Sequence, residues 1–154
     1  MKKHLFLGLA LGVLLASGCS SLPEGTGKPK VQVTSCRLAA VNQAAGVYVD
    51  YSVHHSLSKP LQLKRRSLEV SLNGRKAGSL DEEADNLISP NLESSFSVFV
   101  PLNSQLRAGR DSIRYNRMLS AAGRCSVKLF FNPGGDDSFN PGTTYTGIIT
   151  HGGN

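Results

Sequence analysis

Tryptophan is absent from these 154 residues, and aromatic side chains make up only 6% of them. Basic residues interleaved with stacking aromatics are therefore missing, which argues against a nucleic-acid partner. Cysteine is scarce too. Cys19, Cys36 and Cys125 are the whole complement, with no Cys-x-x-Cys redox motif and too few sulfurs for a zinc site. The one long apolar run, Leu5 to Leu15, falls short of the roughly 20 residues that span a bilayer. No Gly-x-Ser-x-Gly elbow, phosphate loop or His-Glu-x-x-His motif is present. The expectation is a non-enzyme without cofactor or metal, and no small-molecule substrate is identified.

What is present begins at the N-terminus. Lys2 and Lys3 precede the apolar run, and Ala16-Ser17-Gly18-Cys19 follows it, the order of a secretory signal ending in small residues. The stretch resembles the lipobox of bacterial lipoproteins, with Ala16 rather than Leu three places before the cysteine. The resemblance implies cleavage before Cys19, a diacylglyceryl group on its sulfur and acylation of the new N-terminus. More than one chain holds stably where a single chain binds only marginally. Ser20 in place of Asp points, by the same resemblance, to the inner leaflet of the outer membrane, facing the periplasm. That location offers two partners, the membrane through the lipid and a protein of the envelope.

The expected organisation follows: residues 1–18 a signal peptide, 19–30 a lipidated tether, 31–150 a β-domain and 151–154 a frayed tail. Pro23, Gly25, Gly27 and Pro29 give the tether its flexible composition. The formal charge of +6 falls to about +4 once Lys2 and Lys3 are removed. Its densest basic cluster, Lys64-Arg65-Arg66, has two readings. It could touch anionic headgroups, peptidoglycan or a protein, or it could be a solvated loop at a strand end. With Cys19 consumed by lipid, Cys36 and Cys125 remain, and an oxidising compartment favours their pairing. The bridge would close a loop of about 90 residues and contribute up to about 4.6 kcal/mol on the chain-entropy model. Two free buried thiols are the alternative.

The hydropathy pattern has period two. Val47, Val49, Tyr51 and Val53 share one face, as do Leu68, Val70 and Leu72, then Phe96, Val98 and Val100, then Val127, Leu129 and Phe131. Such alternation marks half-buried strands. Asn73-Gly74 is the strongest hairpin signal, with a return through Arg75 to Leu80. Pro60, Pro90, Pro101 and Asn132-Pro133-Gly134-Gly135 punctuate the remainder. Tyr145 to Thr150 reads as a last edge strand, and Leu102 to Ala122 as holding at most a short helical turn near Tyr115 to Ala121. The pattern predicts an all-β protein, an immunoglobulin- or fibronectin-III-like β-sandwich of about seven strands.

Several segments in this order are similar to the LEA type 2 family, the LEA14-like or WHy domain, in its bacterial lipoprotein form. The likeness covers most of Val31 to Thr150. It is carried by Val31 to Leu38, Val47 to Val53, Ser58-Lys59-Pro60-Leu61-Gln62-Leu63, Ser71-Leu72-Asn73-Gly74 and Phe96-Ser97-Val98-Phe99-Val100-Pro101-Leu102. Two features depart from the family: His54-His55-Ser56-Leu57-Ser58 replaces an Asn-Pro-Asn-like turn, and Trp is absent. The resemblance implies a sandwich with no catalytic site and an association with desiccation or envelope stress. The competing expectation is an adaptor in an envelope secretion, pilus or transport complex, displaying an apolar patch near Phe99, Pro101 and Leu102.

Spacing argues against each candidate catalytic or metal-binding set. Ser56-Leu57-Ser58-Lys59 spells Ser-x-x-Lys, whose chemistry needs a helix that Pro60 opposes. His54 and His55 are adjacent, so on a strand they point to opposite faces and cannot share a metal. Asp81, Glu82, Glu83 and Asp85 read as a solvated acidic linker without the spacing of a calcium loop. Asp136-Asp137 reads the same way.

Overall fold

The computed structural model describes residues 27–42, 44–103 and 120–151. The signal, Cys19, most of the tether, most of the segment expected to hold a helical turn, and the final three residues lie outside these. Seven strands follow one another: β1 (Lys30–Val41), β2 (Ala44–His54), β3 (Leu61–Leu72), β4 (Arg75–Ile88), β5 (Ser94–Pro101), β6 (Ser120–Phe131) and β7 (Gly142–His151). The described residues contain no helix. Ser56 to Lys59 lies in the loop between β2 and β3, so the Ser-x-x-Lys spelling has no helical turn to bring its ends together.

All seven strands join one mixed sheet, in the order β4-β3-β6-β7-β1-β2-β5. Every pair is antiparallel except β1 with β7, which is parallel and in register only at Arg37↔Thr150 and Leu38↔His151. That narrow junction divides the sheet into a three-stranded part, β1-β2-β5, and a four-stranded part, β4-β3-β6-β7. The sheet then curls until its two edges meet at one end. Gly78 bridges to Leu102 and the Asn103 N–H donates to the Ala77 carbonyl (2.8 Å), while the Leu102 N–H extends the β2–β5 ladder by donating to the Ala45 carbonyl (3.0 Å). Gly78 permits this approach, since a Cβ there would sit 2.3 Å from the Pro101 carbonyl oxygen.

The body is thus all-β and nearly closed, like a barrel. The expected immunoglobulin- or fibronectin-like sandwich has two separate sheets, whereas this ladder is continuous through β7. The assignment of Tyr145–Thr150 to an edge strand is corrected here: β7 lies between β6 and β1, and the edges are β4 and β5. The parallel β1–β7 pairing joins residues more than a hundred positions apart, so no local pattern announces it.

Turn chemistry behaves as the sequence predicts. Asn73 (φ 49°) and Gly74 (φ 77°) both take the left-handed conformation a two-residue hairpin requires. Asn73 also ties the turn to β6, donating its N–H to the Ala122 carbonyl at 2.7 Å and accepting from the Ala122 N–H through Oδ1 at 3.2 Å. The returning strand runs on past Leu80 to Ile88. Asp81, Glu82, Glu83 and Asp85 are therefore strand residues, not a linker. Asp81, Glu82 and Asp85 pair with opposite charges on β3, and charge on an edge strand resists pairing with other chains.

The interior is filled by the alternating apolar residues. Val47, Val49, Tyr51 and Val53 of β2 are fully buried, as are Val70 of β3 and Leu129 and Phe131 of β6. Bulges in β1 and β3 reset the alternation. In β1 the pairing with β2 steps from Val33↔Tyr51 to Ser35↔Asp50, leaving Thr34 extra, so the inner face passes from Val31 and Val33 to Cys36 and Leu38. Against β6, Lys64 of β3 is the extra residue between Leu63 and Arg65, while against β4 it faces two residues, Ala84 and Asp85. The inner face of β3 passes from Leu61 and Leu63 to Arg66, Leu68 and Val70, because an extra residue reverses which side each later residue faces.

Candidate functional site

The bulge at Lys64 decides the arrangement of the basic triplet. Lys64-Arg65-Arg66 is not a loop at a strand end; it lies within β3, directly opposite the acidic stretch of β4. Lys64 Nζ bonds Asp85 Oδ1 at 3.1 Å, and Gln62 Nε2 donates to the same oxygen at 2.7 Å. Arg65 forks onto Asp81, its Nε donating to Oδ1 at 2.6 Å. Arg66 Nε donates to Glu82 Oε1 at 2.6 Å. All three cations are engaged by acids of the same protein.

Burial separates them. The side chains of Lys64 and Arg65 are half exposed, while that of Arg66 is only 21% exposed, turned toward the interior by the bulge. There it faces Tyr51, whose buried hydroxyl makes no hydrogen bond of its own. Burial pushes the Tyr51 phenol up, and the adjacent Arg66 guanidinium partly offsets this. Tyr51 stacks on Phe96 with ring centroids 5.3 Å apart.

Outside, the Arg65 guanidinium lies over the Phe130 ring at 5.2 Å and the Lys128 ammonium approaches it at 5.4 Å, both within cation–π range. Lys64, Arg65, Glu83, Asp85, Phe130 and Asn132 border an open groove of about 840 Å³. The bond from Arg65 holds the Asp81 carboxyl below the usual carboxylate range, and the same contact raises Arg65. Both side chains are about half exposed, so solvent screens the pair.

A second polar cluster, which the sequence reading did not single out, occupies the outer face of β1-β2-β5. Asp50 Oδ2 accepts from Ser35 Oγ at 2.6 Å, Oδ1 accepts from Ser97 Oγ at 2.5 Å, and Arg37 pairs with it at 3.3 Å. Partial burial works to raise the carboxyl, but the two hydroxyls and Arg37 outweigh it and hold it low. A carboxylate held low is a weak base, and its contacts tie β1, β2 and β5 together on the outer face. The signal was available: Asp50 is the single acid within a strand of alternating Val and Tyr. Arg37 also covers Tyr48 at 5.3 Å, and Tyr48 packs against Phe99 at 5.2 Å.

The histidines separate as their adjacency requires. His54 is exposed at the end of β2, while His55 is 1% exposed. His55 Nδ1 accepts from the Leu57 N–H at 3.3 Å and Nε2 bonds the Ile88 carbonyl at 2.9 Å. The tautomer that satisfies both carries its proton on Nε2. His55 is a clasp between the end of β2 and the end of β4. Cys36 and Cys125 are both buried inside the sheet. Among the described residues no three His, Cys, Asp or Glu side chains gather as a metal site would need.

No family model matches the chain, and no curated protein matches it in sequence. Solved structures do match. The solution structure of an Arabidopsis thaliana protein superposes with a TM-score of 0.61 at 15% identity, covering 80% of this chain and 82% of that one. A candidate late embryogenesis abundant (LEA) protein gives 0.56 at 13% identity, covering 88% and 75%. A crystal structure of an Archaeoglobus fulgidus protein gives 0.54 at 13%, covering 81% and 96%. At these identities the likeness is one of fold, and the fold of this chain is LEA-like.

Proposed function

We propose that this is a lipid-anchored, non-catalytic protein of the LEA type 2 (WHy) kind, protective under desiccation or envelope stress and carried on the periplasmic side of the outer membrane. The observation that carries the reading is the fold shared with a candidate LEA protein. A surface whose acids and bases are paired within the chain is compatible with it, because such a surface stays hydrated without a dedicated partner. The lipobox resemblance at Cys19 supports the anchor, and Ser20 supports the outer-membrane leaflet. The Gly27 carbonyl accepts from the Ser56 N–H at 3.0 Å, which puts Gly27 beside the β2–β3 loop; with a lipid on Cys19, that end of the body would be the one nearer the membrane. The three- and four-stranded parts facing each other across the core are the element of a sandwich that the curled sheet retains.

An exposed apolar patch near Phe99, Pro101 and Leu102 would favour the adaptor reading. Leu102 is 1% exposed, and Phe99 and Pro101 are half-buried, so that patch does not favour it.

The test is survival of a deletion strain after drying and osmotic shock. Survival should fall and be restored by the full chain, but not by Cys19→Ser, which should also accumulate as unprocessed precursor without lipid label. Undiminished survival of the deletion strain, with one envelope component recovered reproducibly by crosslinking, would replace protection with the adaptor role.

A further inference from the structure

We propose that Cys36 and Cys125 form a disulfide that staples the three-stranded part of the sheet to the four-stranded part across the core. Cys36 belongs to β1 and Cys125 to β6, and both side chains point into the same apolar cluster, at 8% and 0% exposure. Although β7 lies between β1 and β6 in the ladder, these two strands approach each other directly through the interior. There Cys36 and Cys125 belong to one packed cluster, and Cys125 is the nearest influence on the Cys36 thiol.

The bulge at Thr34 produces this encounter. Val31 and Val33 face inward, and unbroken alternation would send Cys36 to the outside; one extra residue turns it back toward Cys125. The staple also sits where the sheet is weakest. Cys36 immediately precedes Arg37 and Leu38, the only residues that hold β1 to β7 in register. A covalent link between β1 and β6 secures β7 between them.

The reaction needs an acceptor disulfide, either a small-molecule disulfide or a protein thiol oxidase. One cysteine thiolate attacks an acceptor sulfur to give a mixed disulfide and one acceptor thiol. The second cysteine thiolate then attacks the protein sulfur, forming the Cys36–Cys125 bond and releasing the second acceptor thiol. Both protons end on the acceptor, which is reduced as the pair is oxidised. Once the core has closed, the Cys36 thiol is strongly disfavoured from ionising, first by its bond to Cys125 and then by burial. Oxidation therefore belongs to folding, before the two parts of the sheet close.

The inference is independent of where the protein resides, and the test can be made in vitro. The full chain is refolded with oxidised and reduced glutathione, alkylated in denaturant and digested with trypsin without reductant. The expected product is Val31–Arg37 joined to Cys125–Lys128. Reduction should lower the denaturant midpoint of the wild type and leave that of the Cys36→Ala/Cys125→Ala double variant unmoved. Recovery of both peptides alkylated and unlinked, a link from either to Cys19, or a wild-type midpoint indifferent to reductant would overturn the proposal.

Discussion

On the three-stranded part of the sheet, the polar outer face converges on one carboxylate. Asp50 is only 25% exposed and gathers Ser35, Ser97 and Arg37 from both neighbouring strands. On the four-stranded part the charges are distributed in separate pairs, Lys64–Asp85, Arg65–Asp81 and Lys76–Glu69, all about half exposed or more. Only Arg66–Glu82, turned in by a bulge, departs from that pattern. The same secondary structure thus supports two kinds of electrostatics. A shared, part-buried acceptor couples three strands, whereas exposed pairs mainly keep an edge strand soluble, because solvent screening leaves such pairs little net stability.

This contrast can be broken at the points where the two parts meet. Gly78→Val should have the largest effect, about 3 kcal/mol of lost stability, because its side chain would enter the space of the Pro101 carbonyl. Hydrogen exchange should show the β4–β5 contact opening first; an unchanged denaturant midpoint would mean the edges are not in contact. His55→Ala should follow at about 2 kcal/mol, since it strands the buried Ile88 carbonyl and Leu57 N–H. His55→Gln should recover part of that loss in the same thermal melt.

Asp50→Asn comes next, at about 1 kcal/mol near neutral pH. Its sign with pH is determined by the depressed folded-state value. The contribution is fully present above the unfolded carboxyl value of about 3.9 and is lost as pH falls through the lower folded value. The difference between wild type and Asp50→Asn should therefore close in acid, and a difference that persists there would assign the effect to packing. Asp81→Asn should be the smallest, with a midpoint shift below that of Asp50→Asn and erased by salt. Equal shifts for the two variants would remove the distinction between the two faces.

Much of the ladder was legible in advance because strands with one buried side must alternate. The inward sets of β2, β5 and β6 follow from that alone, as does the Asn73-Gly74 turn from its tolerance of positive φ. Two kinds of feature were not legible. A bulge looks like any other residue in a sequence, so the division of Lys64-Arg65-Arg66 into two outward cations and one inward cation could not be read. Charges are also discounted in strand patterns, so the acidic half of β4 resembled a linker until its partners on β3 were known.

The sequence by itself determined the all-β class, the inward faces and the tight turns, because these depend on side-chain alternation and local backbone preference. Only the tertiary structure decided that β7 is an interior strand, that Gly78 closes the curl against Pro101 and that a bulge in β1 turns Cys36 inward. Each of these depends on which distant strands become neighbours, and that is settled by how the whole sheet curls around its core.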